Sequence, residues 1–248
     1  MDELEEGKSN FKIYSTLFLE KYESLTLHAH QKDALTSTIK YFQNEKNDIS
    51  LLVLPTGTGK TGIISFLPYV LNKNKVLIIT PSAQITEQIE KEMSVFGETF
   101  YEKVCFEKEE IKKFIEKPLI VLESKDLSKM KKSNFIITNA HKFGSNSIEL
   151  SDINNDVDLL IIDEAHHFPA KTWRIIVEHF SESKKVFLTA TPYNQNEPIL
   201  PKIEEFIAYK LDRVEAIKRG IIRNLELIEV DVEKLNDTTT LLQKFVIF

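Results

Sequence analysis

Apolar runs of strand length recur along the chain. They are SLLVL at 50–54, KVLIIT at 75–80, LIVLES at 119–124, NFIITN at 134–139, DLLIID at 158–163 and KVFLTA at 185–190. Within each run the apolar positions are continuous rather than alternating, which suits strands buried on both faces. Between several of them the period changes. ITEQIEKEMSVF sets Ile85, Ile89, Met93 and Phe96 at helical spacing with charges elsewhere, and TWRIIVEHF, after Pro169, follows the same rule. Strands alternating with helices predict an α/β fold: a mostly parallel sheet with helices on both faces. Residues 11–46 read as mainly helical, most clearly in HQKDALTSTIKYF. Residues 206–232 carry FIAYKL and LELIEVDVE, which read as strands joined through DRVEAIKRG. No repeat, low-complexity tract or Pro/Gly-rich linker interrupts the pattern. The expected organisation is an N-terminal helical flank at 1–24, one α/β domain at 25–200 and a C-terminal extension at 201–248.

Composition narrows the class without deciding it. The 248 residues are 42% apolar and 28% charged, ordinary for a packed domain in water. The formal net charge of -6 gives no global basic field for nucleic acid, although a local basic strip would escape such a sum. The single cysteine, Cys105, permits no internal disulfide, fits a reducing compartment and reads as a small buried hydrophobe. The opening MDELEEGKSN is acidic and lacks the apolar core of a secretory signal. No apolar run approaches the roughly 18 residues of a membrane span. The expectation is a cytoplasmic protein with no membrane partner.

Two strand ends carry the candidate chemistry. After the first run comes LPTGTGKT, residues 54–61, and then an apolar helical stretch. Strand, Gly-rich turn and helix is the context in which a phosphate-binding loop works. Gly57 and Gly59 permit backbone geometry that turns successive amide N–H groups inward. The helix adds its positive end. Lys60 supplies a charge for the β- and γ-phosphates, and Thr61 a hydroxyl for Mg²⁺. The competing reading is an ordinary turn that happens to contain Gly-Lys-Thr. The second strand end is LLIIDEAHHF, where Asp163 and Glu164 close a buried run. A carboxylate there needs a partner, and Mg²⁺ beside the phosphate loop is one. Asp163 would hold the metal, and Glu164 would deprotonate the attacking water. An acidic helix cap is the alternative, and the coincidence of both motifs weighs against it. His166 and His167, like His28 and His30, make no zinc site, because no Cys/His cluster completes one.

Taken in order, LPTGTGKT, IIDEAHHF and FLTATP resemble motifs I, II and III of superfamily 2 helicases, the DEAD/DEAH-like group. LHAHQKDAL resembles the upstream glutamine segment, TPSAQITEQ resembles motif Ia, and ITNAHKF the strand-end segment that follows it. LDRVEAIKRGIIRN resembles the stretch that leaves the first motor lobe in restriction-enzyme and repair-type DNA helicases. The resemblance covers roughly residues 25–232. It implies a P-loop, RecA-like domain that binds ATP and Mg²⁺. It implies that Thr56, Gly57, Thr58, Gly59, Lys60 and Thr61 hold the nucleotide and that Gln31 reads the adenine edge. Lys60 and Glu164 would be catalytic, and Thr61 and Asp163 would hold the metal. His166, Thr189 and Thr191 would couple the nucleotide to a bound strand. Pro81, Ser82, Thr138 and Asn139 would touch a sugar-phosphate backbone, with DNA ahead of RNA.

Departures are visible. Leu54 stands where the loop pattern commonly opens with Gly, and His28 and Ala83 stand where Arg is frequent. No arginine precedes Arg174. Motors of this type have two lobes, and residues 233–248 leave no room for a second one, so a second helicase lobe or partner subunit is expected to complete the machine. Two functional readings follow: the ATP-binding lobe of a DNA helicase or translocase, with weak ATPase activity alone, or a nucleotide- and nucleic-acid-binding module with little turnover in a larger assembly. A P-loop ATPase unrelated to nucleic acid fits TPSAQITEQ and FLTATP less well.

Overall fold

The computed structural model describes residues 27–93, 119–120, 133–139, 156–167, 170–194 and 197–224. The flank at 1–24, Cys105 and LELIEVDVE lie outside them. The apolar runs fold as expected into strands β1 (Ile49–Val53), β2 (Val76–Thr80), β3 (Leu119–Ile120), β4 (Phe135–Asn139), β5 (Leu159–Ile162) and β6 (Lys184–Thr189). Helix α1 (Ala29–Phe42) precedes β1, and α2 (Lys60–Val70), α3 (Ala83–Met93) and α4 (Ala170–His179) lie between strands. A two-residue hairpin follows, β7 (Tyr193–Asn194) with β8 (Glu197–Pro198). The last described elements are β9 (Ile207–Lys210) and the short helix α5 (Arg213–Lys218).

Seven strands form one sheet in the order β3-β4-β2-β5-β6-β1-β9, and every pairing in it is parallel. Ile207–Lys210, which the sequence placed in the C-terminal extension, is the edge strand of this sheet, bonded alongside β1. Parallel strands need a covering on both faces, and side-chain alternation supplies it. Leu52, Val76, Ile78, Leu159, Ile161, Val186 and Leu188 face α1, α2 and α3, meeting Leu35, Ile63, Leu67 and Ile89. Their neighbours Leu51, Val53, Leu77, Ile79, Leu160, Ile162 and Phe187 face the other way, against Ile176 of α4, Phe180 just after it, and Ile199, Leu200 and Ile203. Each such buried side chain contributes roughly 1.5–3 kcal/mol before entropy is charged against it. Among the described residues no helix is long and apolar enough to cross a membrane.

This topology sets the site. β5, β6 and β1 are adjacent and parallel, so their carboxyl ends open side by side. In open α/β sheets ligands bind along that edge.

Candidate active site

The phosphate loop grows directly out of the sheet. Leu54 N–H donates to Thr189 O at 2.9 Å, extending the β1–β6 ladder one residue into the loop. Leu54 is fully buried, so the residue that departs from the common pattern serves the core. The chain then turns through Gly57 (φ 85°) and Gly59 (φ 75°), both left-handed, and α2 starts at Lys60. Thr58 Oγ1 closes the turn by donating to Pro55 O at 2.8 Å. Thr56, Gly57 and Gly59 are exposed at the mouth, and Lys60 and Thr61 are half-buried behind them.

The glutamine segment lies against this loop. Gln31 is only 2% exposed, and both ends of its amide are engaged. Its Oε1 accepts from His28 N–H at 3.1 Å, and its Nε2 donates to Gly59 O at 3.0 Å. A Cβ at Gly59 would stand 2.7 Å from that Nε2, so any larger residue there would push the Gln31 amide aside. Beside it, His30 Nε2 lies 2.7 Å from Thr58 O. A carbonyl only accepts, so Nε2 carries the proton. Burial holds the pKa of His30 below its ordinary value, which keeps the ring neutral at pH 7.

Two strands away, Asp163 follows β5, and its own N–H donates to Ile79 O at 2.9 Å. Asp163 Oδ1 accepts from Glu164 N–H at 3.0 Å. Glu164 adopts φ 48°, a left-handed conformation that a non-glycine residue holds at a cost of about 1–3 kcal/mol. The kink aims its carboxylate across to α2, where Glu164 Oε1 lies 2.8 Å from Lys60 Nζ. The contact is an ion pair without hydrogen-bond alignment: Lys60 Nζ and Glu164 Oε2 are buried and have no hydrogen-bond partner among the described residues. Burial, and then the Glu164 charge, push the Asp163 carboxyl up to about 6 against the pull of Lys60.

Behind Glu164 the network reaches the end of β6. His166 Nδ1 is 3.5 Å from Glu164 Oε2 and 2.8 Å from Thr189 Oγ1. The Thr189 hydroxyl proton is committed to Thr191 O at 2.7 Å, so His166 Nδ1–H donates to Thr189. Thr191 N–H returns a bond to Thr189 Oγ1 at 3.2 Å. Burial, and then His167, lower the His166 pKa, so this ring too is neutral at pH 7.

The structure therefore gathers residues 56–61, Gln31, Asp163, Glu164, His166, Thr189 and Thr191 into one continuous site. It does not bring the remaining four to one surface. Pro81 and Ser82 are half-exposed after β2, but Thr138 and Asn139 are 1% and 2% exposed. Thr138 and Asn139 end β4 beside Ile79 and Thr80 of β2, so their low exposure follows from their place in the sheet. Thr80 lies among them: its Oγ1 is 2.6 Å from Thr86 Oγ1 and 3.3 Å from Thr138 O, a hydroxyl cluster that motif spacing did not reveal.

The family described as type III restriction enzyme, res subunit, matches residues 24–194, most of the chain, from the glutamine segment through FLTATP. The chain belongs to that family. Its described residues form a RecA-like α/β lobe, the fold also seen in solved helicase domains. Curated relatives of this res-family chain include putative helicase 22 of Sulfolobus islandicus filamentous virus, 24% identical over 89% of this chain and 39% of that protein. Another is DNA 3'-5' translocase XPB2 of Sulfurisphaera tokodaii, 28% identical over 65% of this chain and 30% of that protein. The chain thus spans well under half the length of either relative. Among solved structures, the type ISP restriction-modification enzyme LlaBIII bound to DNA shares the fold with a TM-score of 0.54 at 16% identity. That match covers 79% of this chain and 15% of LlaBIII. The Hef helicase domain of Pyrococcus furiosus gives 0.51 at 22%, over 77% of this chain and 40% of Hef.

The family implies ATP, and the residues fit a metal-bound nucleotide. Lys60 Nζ is a buried cation without a hydrogen bond, set beside a cradle kept open by glycine. Asp163 is a buried carboxylate whose charge is disfavoured by burial, a donor suited to a cation. Among the described residues no group of three His, Cys, Asp or Glu comes together as a protein-only cage. Mg²⁺ needs none, since it arrives with phosphates and keeps most of its waters.

Proposed function

We propose that this chain is the ATP-binding lobe of a superfamily 2 DNA helicase or translocase. The observation that carries the reading is the Lys60–Glu164 pair at 2.8 Å, two opposite charges from two motifs with unsatisfied atoms on both partners. Each charge serves as a placeholder for what the other would meet during turnover. The backbone N–H groups of residues 57–61 and Lys60 receive the β- and γ-phosphates. Thr61 and Asp163 would hold Mg²⁺, which would supply positive charge to the phosphate oxygens. Phosphate oxygens draw Lys60 away from Glu164, leaving that carboxylate free as a base.

Glu164 then accepts a proton from the attacking water. The water oxygen bonds to the γ-phosphorus, the bond to the β–γ bridging oxygen breaks, and ADP departs with that electron pair. His166, which touches both Glu164 and Thr189, passes the change in Glu164 toward the β6 end, with Thr191 next in line. The exposed ends near Pro81 and Ser82 track the sugar-phosphate backbone. The XPB2 relative is named a DNA translocase, which favours DNA over RNA. A second lobe, elsewhere in the protein or in a partner, completes the cleft.

Two substitutions separate the roles. Lys60→Ala removes the phosphate charge and should weaken Mg-ATP binding. Glu164→Gln cannot take the proton, so hydrolysis should fall by at least about 10²-fold. Its neutral amide also no longer competes for Lys60, so binding should be unchanged or tighter. Calorimetric titration with Mg-ATP, alongside phosphate release, checks both. Unimpaired hydrolysis by Glu164→Gln would remove Glu164 from the base position.

A further inference from the structure

We infer that His30 is a positioning residue that sets the phosphate loop for its anion, acting on phosphates rather than on the base. The inference rests on the nucleotide-binding reading above. A trans peptide is planar, so its C=O and N–H point in opposite directions. Whatever holds the carbonyl on one side of the loop therefore aims the next amide to the other side. Thr58 O is held by His30 Nε2 at 2.7 Å, which turns Gly59 N–H away from α1 and toward the cradle. Gly59 O is held at 3.0 Å by Gln31 Nε2 and also receives Gly62 N–H at 3.0 Å, which turns Lys60 N–H the same way.

Glycines at 57 and 59 have the freedom to rotate these peptides, and that freedom is what the brace removes. His30 is suited to the task. It is 2% exposed, its ring stacks on His28 with centroids 5.7 Å apart, and its neutral Nε2–H donor is directed at one carbonyl. Thr58 is itself buried and tied to Pro55 O, so the loop cannot follow the ring if the bond is lost. Two successive amides are thus aimed before any anion arrives, by residues 28 positions upstream on α1.

The test uses the whole chain, with Mg-ATP, Mg-GTP, Mg-tripolyphosphate and adenosine as titrants. His30→Phe keeps a ring and deletes the donor. His30→Gln keeps a donor at about the same reach. His30→Phe should bind all three phosphate ligands about tenfold more weakly, the value of one hydrogen bond. It should leave adenosine unchanged, and His30→Gln should recover most of the loss. A loss confined to ATP, or full affinity in His30→Phe, overturns the inference. So does an equal loss in both variants, which would mark a packing role. A further measurement needs no variant: the long-range proton–nitrogen spectrum of the unsubstituted chain should show His30 as the Nε2–H tautomer, and an Nδ1–H form overturns the inference. If the unsubstituted chain binds none of the phosphate ligands, with Lys60→Ala as the matched control, the nucleotide reading itself fails and His30 falls with it.

Discussion

Asp163 shows most directly how function is set against stability at a single residue. Its carboxyl is pushed up to about 6, mainly by burial, against an ordinary value of 3.8. A raised acid favours its protonated form in the fold, so the folded state holds more protons than the unfolded chain between those values. Stability from this group is therefore highest below about pH 4 and falls as pH rises toward 6. At pH 7 the cost is about 3 kcal/mol, taking about 1.4 kcal/mol per pKa unit. Asp163→Asn keeps the Oδ1 that accepts Glu164 N–H and removes the charge. The variant should melt at a higher temperature than the unsubstituted chain at pH 7.5, with the gap closing toward pH 4.5, and should lose Mg²⁺-dependent nucleotide binding. Thermal unfolding across that pH range checks it, and a gap that widens in acid would refute the assignment. The carboxylate pair and the lysine were legible in the sequence because chemistry of this kind needs fixed residue types at strand ends. The depth of Thr138 and Asn139 was not, since it depends on which strands flank β4. Nor was the use of Gln31 and His30 as a brace, a contact across 28 residues that no local spacing encodes.

Among elements, the six continuous apolar runs declared a parallel sheet because a strand buried on both faces has no polar side to show. The order β2-β5-β6-β1, which brings motifs I, II and III together, is a property of crossovers and lies outside what a run of residues can state. Short elements escaped for a different reason. α5 spans six residues, too few for a periodic stripe, though Asp212 accepting Glu215 N–H at 2.8 Å is a cap signal visible in DRVE. The phosphate loop is the element most exposed to a single change. Gly59→Ala meets two penalties. A left-handed alanine costs roughly 1–2 kcal/mol, and its Cβ would displace Gln31 Nε2 from 2.7 Å, breaking the bond to Gly59 O. Gly220→Ala meets only the first, because φ is 66° and nothing lies within 4 Å of its Cβ. Gly59→Ala should lose more thermal stability than Gly220→Ala, and only Gly59→Ala should lose nucleotide affinity. Equal affinity in the two would show that the close approach to Gln31 is irrelevant to binding.

For the whole molecule, the question is what one lobe can do by itself. On the reading proposed above, its sheet edge would supply Lys60, Thr61, Asp163 and Glu164 from one side of the phosphates. The transition state of phosphoryl transfer spreads charge over three γ-oxygens, and a site that reaches them from one direction leaves part of that charge facing water. Arginine is the group suited to the other side. In this chain arginine first occurs at Arg174, and Arg219 is already bound to Glu215 at 2.7 Å with Asp33 at 3.8 Å. On the reading proposed above, a second lobe facing this edge would supply that charge, and such an arginine is worth roughly 10³–10⁵ in turnover. The same argument governs movement. A motor advances when two bodies close and reopen across the nucleotide, and a single rigid lobe has no partner to move against. The 248 residues alone should bind Mg-ATP yet hydrolyse it slowly, with little stimulation by single-stranded DNA, and should not unwind a duplex. Supplying a second helicase lobe, in trans or in a longer polypeptide, should raise turnover by a factor within that range, and changing the arginine of the added lobe to alanine should return it to the slow rate. Steady-state phosphate release with and without the added lobe decides the matter: full turnover and duplex unwinding by a verified monomer of these residues would show that the cleft is complete within them.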